Sequence, residues 1–152
     1  MSEHSEGVSR RVVVGIDGSL GSHAAIRWAI DNAKSGDRIM LRHVWTASPS
    51  SLVIDRTDST ERSAAETFAA RELARAGFLV QGTDISLSAE AVEGDAAQCL
   101  GECRCDLLVL GGCGHGRLSN LLLGSVSTHV VRHCRVPVVI VPCPASGAVA
   151  ES

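Results

Sequence analysis

Between Gly111 and Gly124 the chain concentrates residues that suit anion chemistry. Gly111, Gly112, Gly114 and Gly116 fall within six residues, His115 and Arg117 lie among them, and Gly124-Ser125 closes the stretch. Glycines let backbone N–H groups approach a ligand closely. A helix starting at Gly124-Ser125 would add free N–H groups and about half a positive charge. Together these describe a phosphate site. The plainer alternative is a loop whose Ser125 only caps the next helix. Neither standard phosphate motif is present: the only lysine is Lys34, so GxxxxGK[ST] is absent, and GIDGSLGS after the first apolar run does not fit GxGxxG.

The other chemistry-bearing residues are six cysteines and six histidines. Cys99 and Cys103 are four apart, Cys103 and Cys105 flank Arg104, and His129 and His133 are four apart on an expected helix. There is no CxxC pair, and the groups come from different elements, so a zinc site is not expected. Most of these cysteines suit a small apolar core position. Cys113 stands apart, inside the glycine stretch, where oxidation could block a phosphate ligand. His43 reads as a packed, hydrogen-bonded residue.

The elements that would position these groups alternate. Apolar or β-branched runs at Arg11–Asp17, Arg38–Val44, Ile85–Val92, Asp106–Leu110 and Val136–Val141 read as strands. Those without alternation imply burial on both faces of a parallel sheet. Between them lie expected helices from Ser19 or Ser22 to Lys34, Ser59 to Ala76, Asp95 to Glu102 and Ser125 to Cys134, with Ala65, Phe68, Ala69, Leu73 and Ala76 as the apolar stripe of the second. Residues 45–58 read as a loop. The fourteen residues from Gly111 to Gly124 exceed the roughly 2–6 usual for such connections, and they leave a strand's carboxyl end, where open α/β sheets bind ligands. Residues 1–9 and 143–152 read as tails around one domain, 10–142.

Composition agrees with an ordinary globular chain: 152 residues, 45% hydrophobic, 20% charged, net charge −3. That charge excludes a general basic surface for nucleic acid. No apolar run reaches the roughly 18 residues of a membrane span, and residues 1–11 lack a signal-peptide core. The expected compartment is the cytoplasm, with the cysteines reduced.

Gly111, two residues, Gly114, nine residues and Gly124-Ser125 form the G-2x-G-9x-G-[S/T] pattern of ATP-binding universal stress proteins. VVVGIDGS at 12–19, LRHVW at 41–45, DLLVLGGCGHG and LLLGSVSTHVVRHCRVPVVIVP resemble the same family, in order, from about residue 10 to 142. The chain departs from it at Gly112, Arg117 and Ala96. The resemblance implies an adenine nucleotide alpha hydrolase-like fold: a Rossmann-like open α/β sheet of five parallel strands with helices on both faces and nucleotide at the switch between strands one and four. It implies Asp17 by the adenosine, Val44 offering backbone to the adenine, and Leu110 and Gly111 by the ribose. Gly114, Gly124, Ser125 and Val126 would hold the phosphates, with Gly116 and Ser127 in the same set. It further implies ATP, with or without Mg, as ligand, a homodimer through the fifth strand, and regulatory protein partners. No catalytic set is evident, because phosphoryl transfer needs a positioned base that the chain does not offer. The expected function is nucleotide-binding regulation with slow or no hydrolysis. The alternatives are an ATPase or phosphotransferase, and a nucleotide-independent interaction module.

Overall fold

The computed structural model describes residues 8–48, 57–113 and 123–143. Five strands run β1 (Arg11–Gly15), β2 (Arg38–Trp45), β3 (Ser86–Glu93), β4 (Leu107–Gly111) and β5 (Val138–Val141). The helices are α1 (Leu20–Asp31), α2 (Thr57–Gly77), α3 (Ala96–Gly101) and α4 (Ser125–His133), and a 3₁₀ turn, Phe78–Val80, follows α2. All strand pairs are parallel, in the order β3-β2-β1-β4-β5. From β1 the chain winds outward to β2 and β3, then returns to β4 on the other side of β1 and on to β5. The direction reverses between β1 and β4, which opens a crevice at their carboxyl ends.

Period-two alternation sorts the strand side chains onto two faces. Val12, Val14, Ile39, Leu41 and Val109 pack with Ala25, Ile26, Ala29 and Ile30 of α1 and with Ala76 of α2. Val13, Leu108 and Leu110 pack on the other face with Leu100 of α3 and Val130 of α4. Both faces of the central strands are buried, which is why β1 and β4 read as unbroken apolar runs.

Local chemistry sets the helix ends. The Ser19 hydroxyl accepts from the Ser22 N–H, so Ser19 is the cap of α1. Asp95 caps α3 by accepting from the Gln98 N–H. Sequence spacing puts Ala25, Trp28, Ala29 and Ala33 on one face of the first helix; Ala25 and Ala29 are buried there, Ile26 and Ile30 complete the buried face, and Trp28 and Ala33 are half-buried. Element boundaries differ from expectation by a few residues. β1 stops at Gly15, because Asp17 is drawn into a turn. β5 starts only at Val138, after Pro137, which lacks the N–H a ladder needs. At the chain's start Ser9 already donates to the Gly36 carbonyl at 2.6 Å. Of the expected tails, residues 1–7 and 144–152 lie outside the described residues, as do most of the expected loop at 45–58 and residues 114–122.

The expectation of reduced cysteines fails at one pair. Cys113 and Cys143 form a disulfide, with Cα atoms 5.9 Å apart and a separation of 30 positions in sequence. The parallel β4–β5 register causes this. Gly111 lies beside Val141, so the residues two beyond each meet. Cys99, Cys103, Cys105 and Cys134 are free thiols.

Candidate nucleotide site

Asp17 stands just past β1, at the crevice. Its carboxylate accepts from the Ser19 N–H at 2.9 Å and hydroxyl at 2.5 Å. Its own N–H donates to the Ser22 hydroxyl at 3.1 Å. Gly18 between them has φ +80°, which only glycine adopts without strain. Asp17 is thus exposed but oriented, in a turn locked to the first residues of α1.

On the opposite side of the switch, β4 ends at Gly111. A Cβ on Gly111 would come within 2.5 Å of the Gly21 carbonyl carbon and oxygen. A Cβ on Gly21 would in turn come within 2.2 Å of the Cys113 carbonyl oxygen. The start of α1 and the exit of β4 therefore meet backbone to backbone. This contact, rather than ligand approach, is the immediate reason Gly111 and Gly21 are glycine. Gly21 is not among the residues the sequence singles out; its only signal is a glycine at the second position of α1.

The glycine-rich connection starts and finishes at one place. The Gly112 N–H donates to the Val141 carbonyl at 2.8 Å, and the Gly124 N–H donates to the Gly112 carbonyl at 2.7 Å. Gly124 caps α4 without a side chain, so the N–H groups of Ser125, Val126 and Ser127 open the helix with no side-chain acceptor from the cap. Ser125 is exposed at that end and Val126 half-buried. Ser127 is turned inward: it is buried, and its hydroxyl donates to the Gly111 carbonyl at 2.8 Å. Leu110 is also buried, packed with Leu100, Leu108 and Val130.

Val44 lies on β2, beyond the end of its pairing with β1. The β1–β2 register ends at Gly15 beside Arg42, and β2 runs on through His43 to Trp45, still paired with β3. Val44 lies in this overhang. His43 is packed as expected, with Nδ1 3.2 Å from the Ile16 carbonyl and its ring 4.4 Å from that of Phe68.

Asp17, Leu110, Gly111, Gly124, Ser125, Val126 and Ser127 thus converge through the Gly21–Gly111–Ser127 contacts, with Val44 on the overhanging strand beside β1. Gly114 and Gly116 lie outside the described residues. Two helix starts and two strand ends meet at a switch point, where the dipoles and amides favour an anion. No three His, Cys, Asp or Glu side chains among the described residues are grouped to hold a metal.

Residues 9–142 match the model of the universal stress protein family. The chain belongs to that family. Universal stress protein Rv1996 of Mycobacterium tuberculosis is 32% identical over 155 residues, covering 86% of this chain and 47% of the relative. Universal stress protein Rv2005c of the same organism is 34% identical over 134 residues, covering 85% of this chain and 44% of the relative. The chain therefore spans about half the length of the curated relatives it matches. Among solved structures, hypothetical protein MJ0577 shares the fold with a TM-score of 0.76 at 17% identity, covering 90% of this chain and 97% of that one. A universal stress protein in complex with cAMP is 28% identical with a TM-score of 0.59, covering 90% and 98%. The expected five-stranded parallel sheet is the fold of this universal stress protein domain. No described helix is long and apolar enough to cross a membrane.

Proposed function

We propose that this universal stress protein domain binds ATP in the crevice between β1 and β4 and acts as a nucleotide-dependent regulator, with hydrolysis slow or absent. One observation carries the reading. The glycine-bounded connection closes on itself at Gly112 and Gly124 and delivers the start of α4, capped by Gly124 without a side chain, to the switch point. The sequence spacing Gly111, Gly114, Gly124-Ser125 supports a triphosphate on those amides. In this reading Asp17 and Val44 face the nucleoside, Leu110 and Gly111 back the ribose, and Gly114, Gly116, Gly124, Ser125, Val126 and Ser127 surround the phosphates. Ser127 contributes its main chain, since its hydroxyl is held by Gly111.

A second ligand is favoured by a specific finding: the 28% identical relative holds cAMP. ATP, AMP and cAMP should therefore be titrated side by side by calorimetry into nucleotide-free protein. Ser125→Asp is the informative variant. A carboxylate in the first turn of a helix stabilises it by roughly 0.3–1 kcal/mol, so the fold is kept, yet the same charge repels a phosphate. We expect ATP affinity to fall at least about tenfold, roughly 1.4 kcal/mol, with no loss in melting temperature. Equal ATP binding by wild type and Ser125→Asp would remove α4 from the site. No binding of any of the three nucleotides to the wild type would overturn the reading.

A further inference from the structure

At the amino edge of the sheet, opposite the crevice, Cys103 and Cys105 lead into β4. Exposure alternates along Glu102 to Asp106, with Glu102, Arg104 and Asp106 outward and both cysteines inward, so the two thiols share one side of an extended segment. Their sulfurs are 3.2 Å apart, in S–H···S contact. Both lie just under the surface, 8% and 7% exposed, against Leu100, Leu108 and Val130.

We propose that Cys103 and Cys105 are an oxidisable dithiol that a hydroperoxide closes to an intramolecular disulfide. The Cys103 thiolate attacks the terminal peroxide oxygen, the O–O bond breaks, and Cys103 becomes a sulfenic acid while the hydroxide or alkoxide leaves with a proton. The Cys105 sulfur then attacks the sulfenic sulfur, the S–O bond breaks, and water leaves with the Cys105 proton. Two thiols are oxidised by two electrons and one peroxide is reduced.

The surroundings divide the roles. The hydrogen bond shared with Cys105, together with the nearby Arg42 and Arg11 guanidiniums, favours a Cys103 thiolate, outweighing burial and the Glu90 carboxylate; the Cys103 thiol is pulled down to about 7. Cys105 is pushed up by that same hydrogen bond, by burial and by Cys134, against the Leu107 N–H. Cys103 is therefore the attacking sulfur and Cys105 the resolving one. Arg42 is itself fixed by Glu90 at 2.6 Å. Cys99 does not compete, because its sulfur lies against Gly94. Metal binding is the poorer reading, since no third ligand joins the pair among the described residues.

The test uses the whole chain and hydrogen peroxide, followed by alkylation under denaturing conditions. Cleavage after Glu102 and Asp106 releases a peptide holding only these two cysteines. We expect it unalkylated and two hydrogens lighter than the dithiol. The rate should rise through a pH near 7, instead of the roughly 8.5 of an ordinary thiol, and should be slower in urea. In Cys105→Ser a diketone probe should trap the Cys103 sulfenic acid, whereas Cys103→Ser should leave Cys105 alkylatable. Recovery of the doubly alkylated peptide, a bridge from Cys103 to Cys134, or an equal rate in urea would each overturn the proposal. The wild-type readout stands even if a serine variant fails to fold, and it is independent of nucleotide binding.

Discussion

Gly111 and Gly77 both close a secondary-structure element, yet their surroundings make opposite demands. Gly77 has φ −56° and ψ −32°, and a Cβ there meets nothing within 4 Å. It contributes only chain entropy to the unfolded state, so Gly77→Ala is expected to stabilise by about 0.5–1 kcal/mol. Gly111→Ala would drive a methyl group into the backbone of Gly21, where no flexible side chain can give way. Overpacking of this kind costs about 1–3 kcal/mol, and the displaced α1 start should carry the Asp17–Ser19 turn with it. Urea unfolding of the two variants beside the wild type checks the opposite signs. Equal midpoints for Gly111→Ala and wild type would mean that the α1–β4 contact is loose. Gly15 lies between these cases, because its Cβ would meet side-chain carbons of Leu110 and Leu100 that can move.

The element junctions depend on buried charge as much as on apolar packing. Asp37, between α1 and β2, is 1% exposed and is held by Arg10 at 2.6 Å, just ahead of β1. It also accepts from the Lys34 N–H at 2.9 Å and the Arg10 N–H at 3.2 Å. Burial alone would raise its pKa, but the Arg10 side chain and these amides hold it below the ordinary carboxylate value. A depressed carboxylate stabilises the fold above its unfolded pKa, about 3.9. That contribution is lost as pH falls through the lower folded value. Asp37→Asn should therefore cost about 2–3 kcal/mol at neutral pH and flatten the dependence of stability on pH below about 4. Chemical denaturation at pH 7 and at pH 3 measures both; a slope unchanged in the variant would assign acid sensitivity elsewhere. Junctions like this also mark where the sequence stops being legible. The strands β1, β2 and β4 are visible because burial on both faces writes itself as apolar runs. The α2 stripe was legible at Ala65, Phe68, Ala69, Leu73 and Ala76, but Glu72 sits buried beside it, paired with His23 at 3.0 Å and Arg75 at 3.2 Å. Nothing local announces a partner 49 residues away. The site shows the same division: glycine spacing pointed to the β4–α4 connection, while Gly21 against Gly111, Ser127 turned inward and the Cys113–Cys143 bridge arise only from strand order.

At the scale of the whole molecule the open question is the sheet's edges. β3 closes one side, and β5 the other with a short strand of Val138, Val139, Ile140 and Val141. Backbone direction alternates along a strand, and the Pro137 and Val141 carbonyls accept from Leu108 and Gly112 of β4. The N–H and C=O groups of Val138 and Ile140 therefore point to the outer edge, a row of polar groups that no strand among the described residues pairs, flanked by half-buried aliphatic side chains. Such an edge is satisfied by a second β5 from another copy of the chain, and we propose a homodimer joined there. Val138→Pro deletes one outward N–H at the first residue of the strand, where proline is tolerated, and leaves the β4 ladder intact. Light scattering should give a dimer for wild type at tens of micromolar and a monomer for Val138→Pro, with unchanged circular dichroism. A wild-type monomer at that concentration would leave the β5 edge to a different partner, and a dimer that survives Val138→Pro would move the interface off this strand.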